Sequence, residues 1–181
     1  MTDDTGDREP HTGPTSGRDA ASRREDVRRA AAAVADGELV VYPTETVYGL
    51  GGDALDPVAV ERVFDLKGRD RSNPLSLGTA SVDGALRYAR PTEFAVAFAR
   101  AFLPGPVTVV VERGDAIPDA LTAGGDRVGL RVPDQPVARA LLRETGPLTA
   151  TSANVSGTGS VTDLRILYPS QRPHDKGGAR R

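Results

Sequence analysis

The stretch DPVAVERVFDLKGRDRSNPLSL, residues 56–77, combines a helix, a basic loop and the beginning of a strand. Asp56 and Pro57 pair an N-cap residue with a proline at the first helical position. The apolar stripe that follows ends at Gly68 and consists of Val60, Val63, Phe64 and Leu66. The pattern predicts a helix that ends at Lys67, where the helix dipole favours a cation by about 0.3 to 1 kcal/mol.

Three cations, Lys67, Arg69 and Arg71, lie at the end of this helix and on the loop that leads to the next strand. Lysine is a mobile point charge and arginine a planar fork, and both suit the oxygens of a polyphosphate. A loop between two regular elements can aim such cations at a ligand. A solvated basic turn that caps the helix explains the same residues equally well.

Outward from this stretch, helical and strand patterns alternate along the chain. Helices are predicted at residues 20–36, 81–90, 92–103 and 136–144. Strands are predicted at residues 38–42, 74–77, 107–112, 128–132 and 148–151, with a glycine-punctuated turn or strand at 44–52. This alternation predicts an α/β fold with a mixed sheet.

Hydroxyl groups recur at Thr44, Thr46 and Tyr48, so an extended segment would present them on one side. From spacing alone, a strand that favours threonine through its β propensity is the simpler interpretation. Arg131 lies inside a predicted strand and needs an anionic partner or an edge position. A ligand carboxylate and a neighbouring aspartate are equally good partners.

Ser152 and Asn154 follow the last predicted strand, in the region where open α/β sheets bind ligands. Backbone amides there suit an anion, although an ordinary Ser/Asn/Gly turn has the same composition. Paired with Lys67 and Arg69, this turn suggests a nucleotide site.

Composition excludes several classes of site. The chain of 181 residues has no cysteine and only two histidines, which excludes thiol nucleophiles and makes a histidine general base improbable. Neither a Walker motif nor GxGxxG is present. The net charge of −2 predicts no overall attraction to nucleic acid. With no membrane-length apolar run and no signal-peptide pattern, we expect a soluble, cytoplasmic protein.

Five motifs resemble, in order and spacing, the YrdC-like family of threonylcarbamoyl-AMP synthases: YPTETVYGLGGDA, KGRDRSNPLS, LPGPVTVVV, VGLRVPDQP and TATSANVSG. The resemblance runs from about residue 31 to 163. It implies a twisted mixed sheet, flanked by helices, around a concave and basic cavity.

The resemblance also implies an activity. Members of the family are nucleotidyltransferases that combine L-threonine, bicarbonate and ATP, with magnesium, into threonylcarbamoyl-AMP and pyrophosphate. The product serves the threonylcarbamoyladenosine modification of tRNA, through a second enzyme that transfers the group. The alternatives are a non-catalytic tRNA- or double-stranded-RNA-binding module of the same fold, an inactive truncated synthase, and a carbamoyl-transfer domain.

The resemblance assigns roles to individual residues. Thr44, Tyr48, Arg131 and Ser152 match positions around the threonine. The positions that match the ATP site are Lys67, Arg69, Arg71, Asn154 and, more weakly, Thr162. No residue is assigned as a covalent catalyst, because Lys67 and Arg69 would act by positioning. Glu45 and Asp70 could assist magnesium, but the metal ligands stay unassigned.

The two ends of the chain differ in character from its middle. Residues 1–18 have the composition of a disordered tail, and residues 19–163 would form the YrdC-like domain. Residues 164–181 are basic and lack an apolar period, so we expect a poorly ordered tail there. Because no match to the family's next strand follows Asp163, we expect a truncated or frameshifted C-terminus, which would leave one sheet edge uncovered.

Overall fold

A computed structural model describes residues 17–157, and in that part the chain forms a six-stranded mixed sheet with helices packed against it. The helices are α1 (Gly17–Ala35), α2 (Pro57–Lys67), α3 (Val82–Leu86), α4 (Glu93–Phe102), α5 (Asp119–Thr122) and α6 (Pro136–Thr145). The strands are β1 (Val40–Tyr42), β2 (Gly49–Gly51), β3 (Ser76–Gly78), β4 (Val109–Glu112), β5 (Arg127–Arg131) and β6 (Leu148–Ser152). The predicted α/β fold with a mixed sheet is confirmed.

The strand order in the sheet is β1-β2-β6-β3-β5-β4. Strands β3 and β5 pair in parallel, and the other neighbouring pairs are antiparallel. Strand β6, which is late in the chain, therefore lies between β2 and β3. This insertion joins the two halves of the chain and brings the turn after β6 close to residues that precede it by about a hundred positions.

Helix α2 forms as its sequence predicts. The Asp56 side chain accepts a hydrogen bond from the Val58 amide at 2.9 Å, and Gly68 ends the helix in the left-handed conformation with φ of 56°. Val60, Val63 and Phe64 are almost completely buried. Burying each such side chain contributes about 1.5 to 3 kcal/mol, so this helix is a main part of the core.

Apolar residues form two clusters. The larger contains the buried stripe of α2 together with residues of β3, β4, β5 and α5. The smaller packs α1 and α6 against β1 and β6, with Val34, Leu141 and Leu148 among its members. Helices thus cover the sheet through two separate cores, and the rest of the sheet surface is free to form a site.

Several predicted bounds were wrong. Helix α3 ends at Leu86 instead of residue 90, because the backbone of residues 88–90 pairs with the end of β4 and the residues after it: the Arg90 amide donates to the Glu112 carbonyl at 2.8 Å. The four-residue helix α5 was missed, since it is too short to show a period. Strand β1 begins at Val40 instead of residue 38, because the Glu38 amide still closes α1 by donating to the Ala33 carbonyl.

The predicted tails lie almost wholly outside the described residues. Helix α1 begins at Gly17, three residues before its predicted start at Ala20, so it includes the last two residues of the predicted tail, Gly17 and Arg18. No helix within residues 17–157 is long and apolar enough to cross a membrane.

Candidate functional site

The floor of the candidate site is one face of the sheet. Because directly paired residues point to the same side, the register places Gly49 of β2 beside Ser152 of β6, and Gly78 of β3 beside Arg131 of β5. Ala150 lies on the same face, two residues before Ser152 along β6. Small residues in the middle of this face leave a hollow, and larger polar side chains surround it.

Tyr42, at the end of β1, covers the glycines of the neighbouring strand. A Cβ atom added at Gly49 or at Gly51 would lie 2.9 Å from the Tyr42 ring, so the ring requires glycine at both positions. The Tyr42 side chain is buried, and its hydroxyl donates to the Thr149 carbonyl at 3.4 Å. Burial raises the pKa of Tyr42 to about 12; the positive charge of Arg131 opposes this shift and the negative charge of Glu45 adds to it.

In a Tyr42→Phe variant, the free energy of unfolding should fall less steeply at alkaline pH than in the wild type. Since the folded-state pKa is about 12 and the ordinary value is 10.0, the folded state favours the neutral phenol. This contribution, on the order of 2 to 3 kcal/mol, is fully present below pH 10 and is lost between pH 10 and 12. Urea unfolding at several pH values should show a smaller decline over that window in Tyr42→Phe than in the wild type.

The control for this experiment is Tyr88→Phe, which removes a hydroxyl from a ring packed against the larger cluster. Its unfolding free energy should decline between pH 10 and 12 as steeply as that of the wild type. Equal slopes for all three proteins would show that Tyr42 ionises in the folded state as it does in the unfolded chain.

One wall of the hollow is the loop of residues 43–48, between β1 and β2. Its centre bends sharply, so the hydroxyls gather there through a turn and not, as predicted, through an extended segment. The Thr44 hydroxyl accepts from the Val47 amide at 3.2 Å and donates to the Val47 carbonyl at 2.5 Å. Thr44 therefore holds the turn closed while it lines the site.

The opposite wall is formed by Arg131, the last residue of β5. Its Nη2 donates to Glu45 Oε1 at 2.6 Å and to the Thr46 hydroxyl at 3.3 Å, and its Nη1 donates to the Pro106 carbonyl at 3.3 Å. The side chains of Arg131 and Glu45 are only 22% and 16% exposed. The anionic protein partner of Arg131 is thus a glutamate from the loop instead of the aspartate considered, and a ligand carboxylate as a further partner stays a prediction.

These elements enclose a pocket of about 140 Å³. Its lining includes all four residues that resemblance assigned to threonine: Thr44, Tyr48, Arg131 and Ser152. It also includes Tyr42, which sequence reasoning did not select, although its place before a proline at a strand end is a visible signal. Arg131 is the charged side chain in this lining, and the negative charge of Glu45 neutralises it. The pocket is therefore not itself basic, and the expected basic character of the wider cavity stays a prediction.

Lys67 meets the turn that follows β6. Its ammonium donates to the Ser152 carbonyl at 2.5 Å and to the Asn154 carbonyl at 2.6 Å, and the Ser156 amide donates to the Lys67 carbonyl at 2.8 Å. Lys67 is only 3% exposed. Burial lowers the pKa of Lys67, and the charge of Arg69 lowers it further. The structure therefore joins the two halves of the predicted nucleotide site directly.

The side chains of the turn are also interlinked. The Ser152 hydroxyl donates to Asn154 Oδ1, and Asn154 Nδ2 donates to the Val155 carbonyl. Asn154 and Lys67 together line a second cavity of about 280 Å³, whose other residues are apolar and include Leu66 and Val155. Ser152 lines the pocket of Arg131 while Asn154 lines this second cavity, so one short segment contributes to both.

The other predicted ATP residues are placed differently. Arg69 donates to the carbonyls of Asn73 and Pro74 and so stabilises its own loop. Arg71 forms ion pairs with Glu61 at 2.7 Å and Asp65 at 2.6 Å on the exposed side of α2. Neither arginine lines the pocket of Arg131. Thr162 lies outside the described residues.

Within residues 17–157, no group of three or more His, Cys, Asp or Glu side chains is arranged to hold a metal ion. Of the two acids considered for magnesium, Glu45 is bonded to Arg131 and to the Asp134 amide. Asp70 accepts from the Ser72 amide at 2.8 Å, and this hydrogen bond lowers the pKa of its exposed carboxyl group. Neither acid presents a pair of free oxygens to the pocket.

The chain matches one protein family. The model of the Sua5, YciO and YrdC proteins, described as "Telomere recombination", matches residues 32–171. Threonylcarbamoyl-AMP synthase of Pyrococcus abyssi is 42% identical over 138 residues, which are 75% of this chain and 41% of that protein. The enzyme of the same name from Bacillus subtilis is 40% identical over 139 residues, covering 75% of this chain and 40% of the relative.

Solved structures agree with the sequence comparison. The crystal structure of P. abyssi Sua5 complexed with L-threonine superimposes with a TM-score of 0.76 at 40% identity, over 79% of this chain and 43% of that one. The present chain therefore spans about two fifths of the length of these relatives. The family match extends past Asp163, where the motif resemblance ended.

Proposed function

This chain belongs to the Sua5–YciO–YrdC family, and we propose that it is a threonylcarbamoyl-AMP synthase, a nucleotidyltransferase that uses L-threonine, bicarbonate and ATP. The observation that carries the proposal is the pocket in which one cation, Arg131, faces the hydroxyls of Thr44, Thr46 and Ser152. A guanidinium suits a carboxylate and the hydroxyls suit a small polar side chain. A relative at 40% identity has been crystallised with L-threonine, which supports the same substrate here.

The volume of the pocket supports an amino acid as its occupant. At about 140 Å³ it is close to the roughly 150 Å³ cavity that holds a molecule the size of benzene. Sites for drug-sized ligands begin at roughly 300 Å³. Threonine fits this space and ATP does not, so we place the nucleotide outside the pocket, on the side of Lys67 and the turn of Ser152 and Asn154.

The reaction needs positioning more than it needs a protein nucleophile. The threonine amine attacks the carbon of bicarbonate; the amine loses a proton, hydroxide leaves, and these combine as water. An oxygen of the resulting carbamate attacks the α-phosphorus of ATP. The bond between the α-phosphorus and the oxygen that bridges to the β-phosphate breaks, and pyrophosphate leaves with that oxygen. Arg131 would bind the threonine carboxylate, and Lys67 and Arg69 would stabilise the negative charge on the leaving pyrophosphate. Together they would lower the barrier by orienting the substrates and by electrostatic stabilisation.

Lys67 would need a change of partner to reach a phosphate, because its ammonium is bonded to two carbonyls in the present conformation. We therefore give it a first role in holding the turn of Ser152 and Asn154, and a second role at the phosphates when the turn moves. Ser156 Oγ is buried and without a partner in the described part of the chain, so it offers one further polar group at the same turn.

Magnesium belongs to this proposal as part of the nucleotide substrate. The described residues offer no cluster of carboxylates, and Mg²⁺ is commonly bound through substrate phosphates, water and at most one or two acids. The metal would neutralise phosphate charge as it arrives with ATP. We further propose that a separate transferase consumes the product in the modification of tRNA.

The test is pyrophosphate release together with the conversion of radiolabelled L-threonine. Both should require ATP, L-threonine and bicarbonate at once, and omission of any one should reduce the signal to background. Pyrophosphate release that is independent of threonine would refute the proposal. Salt-sensitive retention of tRNA without turnover would instead favour a binding module.

A further inference from the structure

We propose that Glu45 is a positioning residue for the amino-acid substrate, which holds the Arg131 guanidinium in place and fastens the loop of residues 43–48 over the pocket. The inference rests on the proposed function, because it takes Arg131 as the partner of the substrate carboxylate. Glu45 does not line the pocket itself. It would act on the substrate through Arg131 and through its two neighbours Thr44 and Thr46.

Both carboxylate oxygens of Glu45 are in use. Oε1 accepts from Arg131 Nη2 at 2.6 Å, and Oε2 accepts from the Asp134 amide at 3.1 Å. In every other ion pair within residues 17–157, at least one side chain is more than half exposed. The pair of Glu45 and Arg131 is shielded from solvent, and screening by water and salt weakens it less than the surface pairs.

The contacts restrict the orientation of the guanidinium. Glu45 and the Thr46 hydroxyl hold Nη2, and the Pro106 carbonyl holds Nη1. Within the described residues, Nε has no hydrogen-bond partner. Three contacts thus hold the guanidinium while it lines the pocket, which is the arrangement expected when a second residue orients a binding group.

The same carboxylate ties the loop to the opposite wall. Glu45 lies 86 residues before Arg131 and 89 before Asp134, so these bonds connect the turn after β1 with the junction of β5 and α6. Thr44, Thr46 and Val47 on this loop line the pocket. Loss of the Glu45 contacts would therefore loosen both the 43–48 loop and the Arg131 guanidinium. A less precisely positioned guanidinium would bind the substrate carboxylate more weakly.

A competing effect has the opposite sign. Glu45 neutralises Arg131, so its removal would expose a full positive charge to the substrate carboxylate and strengthen a purely Coulombic attraction. Positioning predicts weaker threonine binding after neutralisation of Glu45, and charge balance predicts tighter binding. The direction of the change in affinity therefore separates the two roles.

The decisive variant is Glu45→Gln. The two donors bond different oxygens of Glu45, so glutamine, which has the same shape, would turn an NH2 group toward either Arg131 or the Asp134 amide. Calorimetric titration with L-threonine should show binding about tenfold weaker or more, as expected for loss of a charge-assisted hydrogen bond. In turnover, KM for threonine should rise while KM for ATP stays near that of the wild type.

The matched control is Glu61→Gln, which neutralises a glutamate paired with an arginine on the exposed face of α2. It should bind threonine as the wild type does. Glu45→Asp is a second variant that keeps the charge but is one methylene too short to span both partners. It should show a smaller loss of affinity, and it replaces Glu45→Gln if that variant does not fold.

Unchanged or tighter threonine binding in a folded Glu45 variant would overturn the inference and leave the proposed function standing. A parallel rise of both KM values with a lower thermal midpoint would also overturn it, since that result describes a general structural role. If the wild type binds no threonine, the proposed function fails, and the inference fails with it.

Discussion

Replacement of Arg131 by methionine should lower kcat/KM for threonine by roughly 100-fold or more. The change removes the cation that would meet the substrate carboxylate, and hydrogen bonds to charged groups contribute about 1.5 to 3 kcal/mol each. It also leaves the Glu45 carboxylate, 16% exposed, without its guanidinium partner and close to the incoming carboxylate. Truncating one partner of a shielded charge pair costs about 2 to 5 kcal/mol, which is consistent with that loss. The measurement is the threonine dependence of pyrophosphate release.

Arg127→Met is the control, because Arg127 lies at the other end of the same strand. Its side chain is 69% exposed and 4.0 Å from Asp126, so its loss should change neither turnover nor stability by a measurable amount. The double variant Glu45→Gln/Arg131→Met should recover part of the stability lost in Arg131→Met, since no carboxylate is left unpaired, but it should not recover threonine binding. Retention of threonine affinity within threefold in Arg131→Met would contradict the placement of the carboxylate.

Local signals in the sequence predicted the helices best. Asp56, Pro57 and Gly68 act on backbone groups within a few residues, so they determine the bounds of α2 without help from the rest of the fold. Helix α3 shows the limit of such signals. The residues predicted to form its last turn pair with β4 instead: the Arg90 amide donates to the carbonyl of Glu112, which is 22 positions later in the sequence. No pattern in the local sequence predicts this pairing.

The sequence could group the residues of one pocket where chemistry and motif order agreed, and their roles stay predictions. Thr44, Tyr48, Arg131 and Ser152 come from three motifs, and the fold brings them to one pocket. Their partners were not predictable in the same way. An acid at position 45 could pair with any neighbouring cation, and only the fold shows that it reaches Arg131. The ion pairs of Arg71 with Glu61 and Asp65 could not be predicted from the sequence for the same reason.

The insertion of β6 between β2 and β3 explains why one turn affects two cavities. It places Ser152 on the floor of the pocket of Arg131 and Asn154 beside Lys67. A substrate in the pocket and a nucleotide near Lys67 would then contact neighbouring residues of the same segment. The position of that segment would therefore affect both halves of the proposed reaction, and the Lys67 ammonium is one of the groups that hold it.

Replacement of Lys67 by methionine should lower kcat/KM for ATP by roughly 100-fold or more while changing the free energy of unfolding by only about 1 kcal/mol. The change in unfolding free energy is small because two effects offset each other. Methionine loses the bonds to the Ser152 and Asn154 carbonyls, but it also removes the cost of burying an ammonium, which is the cost that lowers the pKa of Lys67. The large effect on activity follows because the turn loses its anchor and the phosphates lose a cation.

Threonine binding separates these two causes. If Lys67 served only the phosphates, Lys67→Met would raise KM for ATP and leave threonine affinity unchanged. Because its ammonium also holds the carbonyl of Ser152, which lines the proposed threonine pocket, we expect weaker threonine binding as well. The control is Arg62→Met, which removes another α2 cation that donates to a backbone carbonyl, that of Gly37, outside the site. Wild-type threonine affinity in Lys67→Met would restrict Lys67 to the nucleotide, and wild-type turnover would remove it from the site altogether.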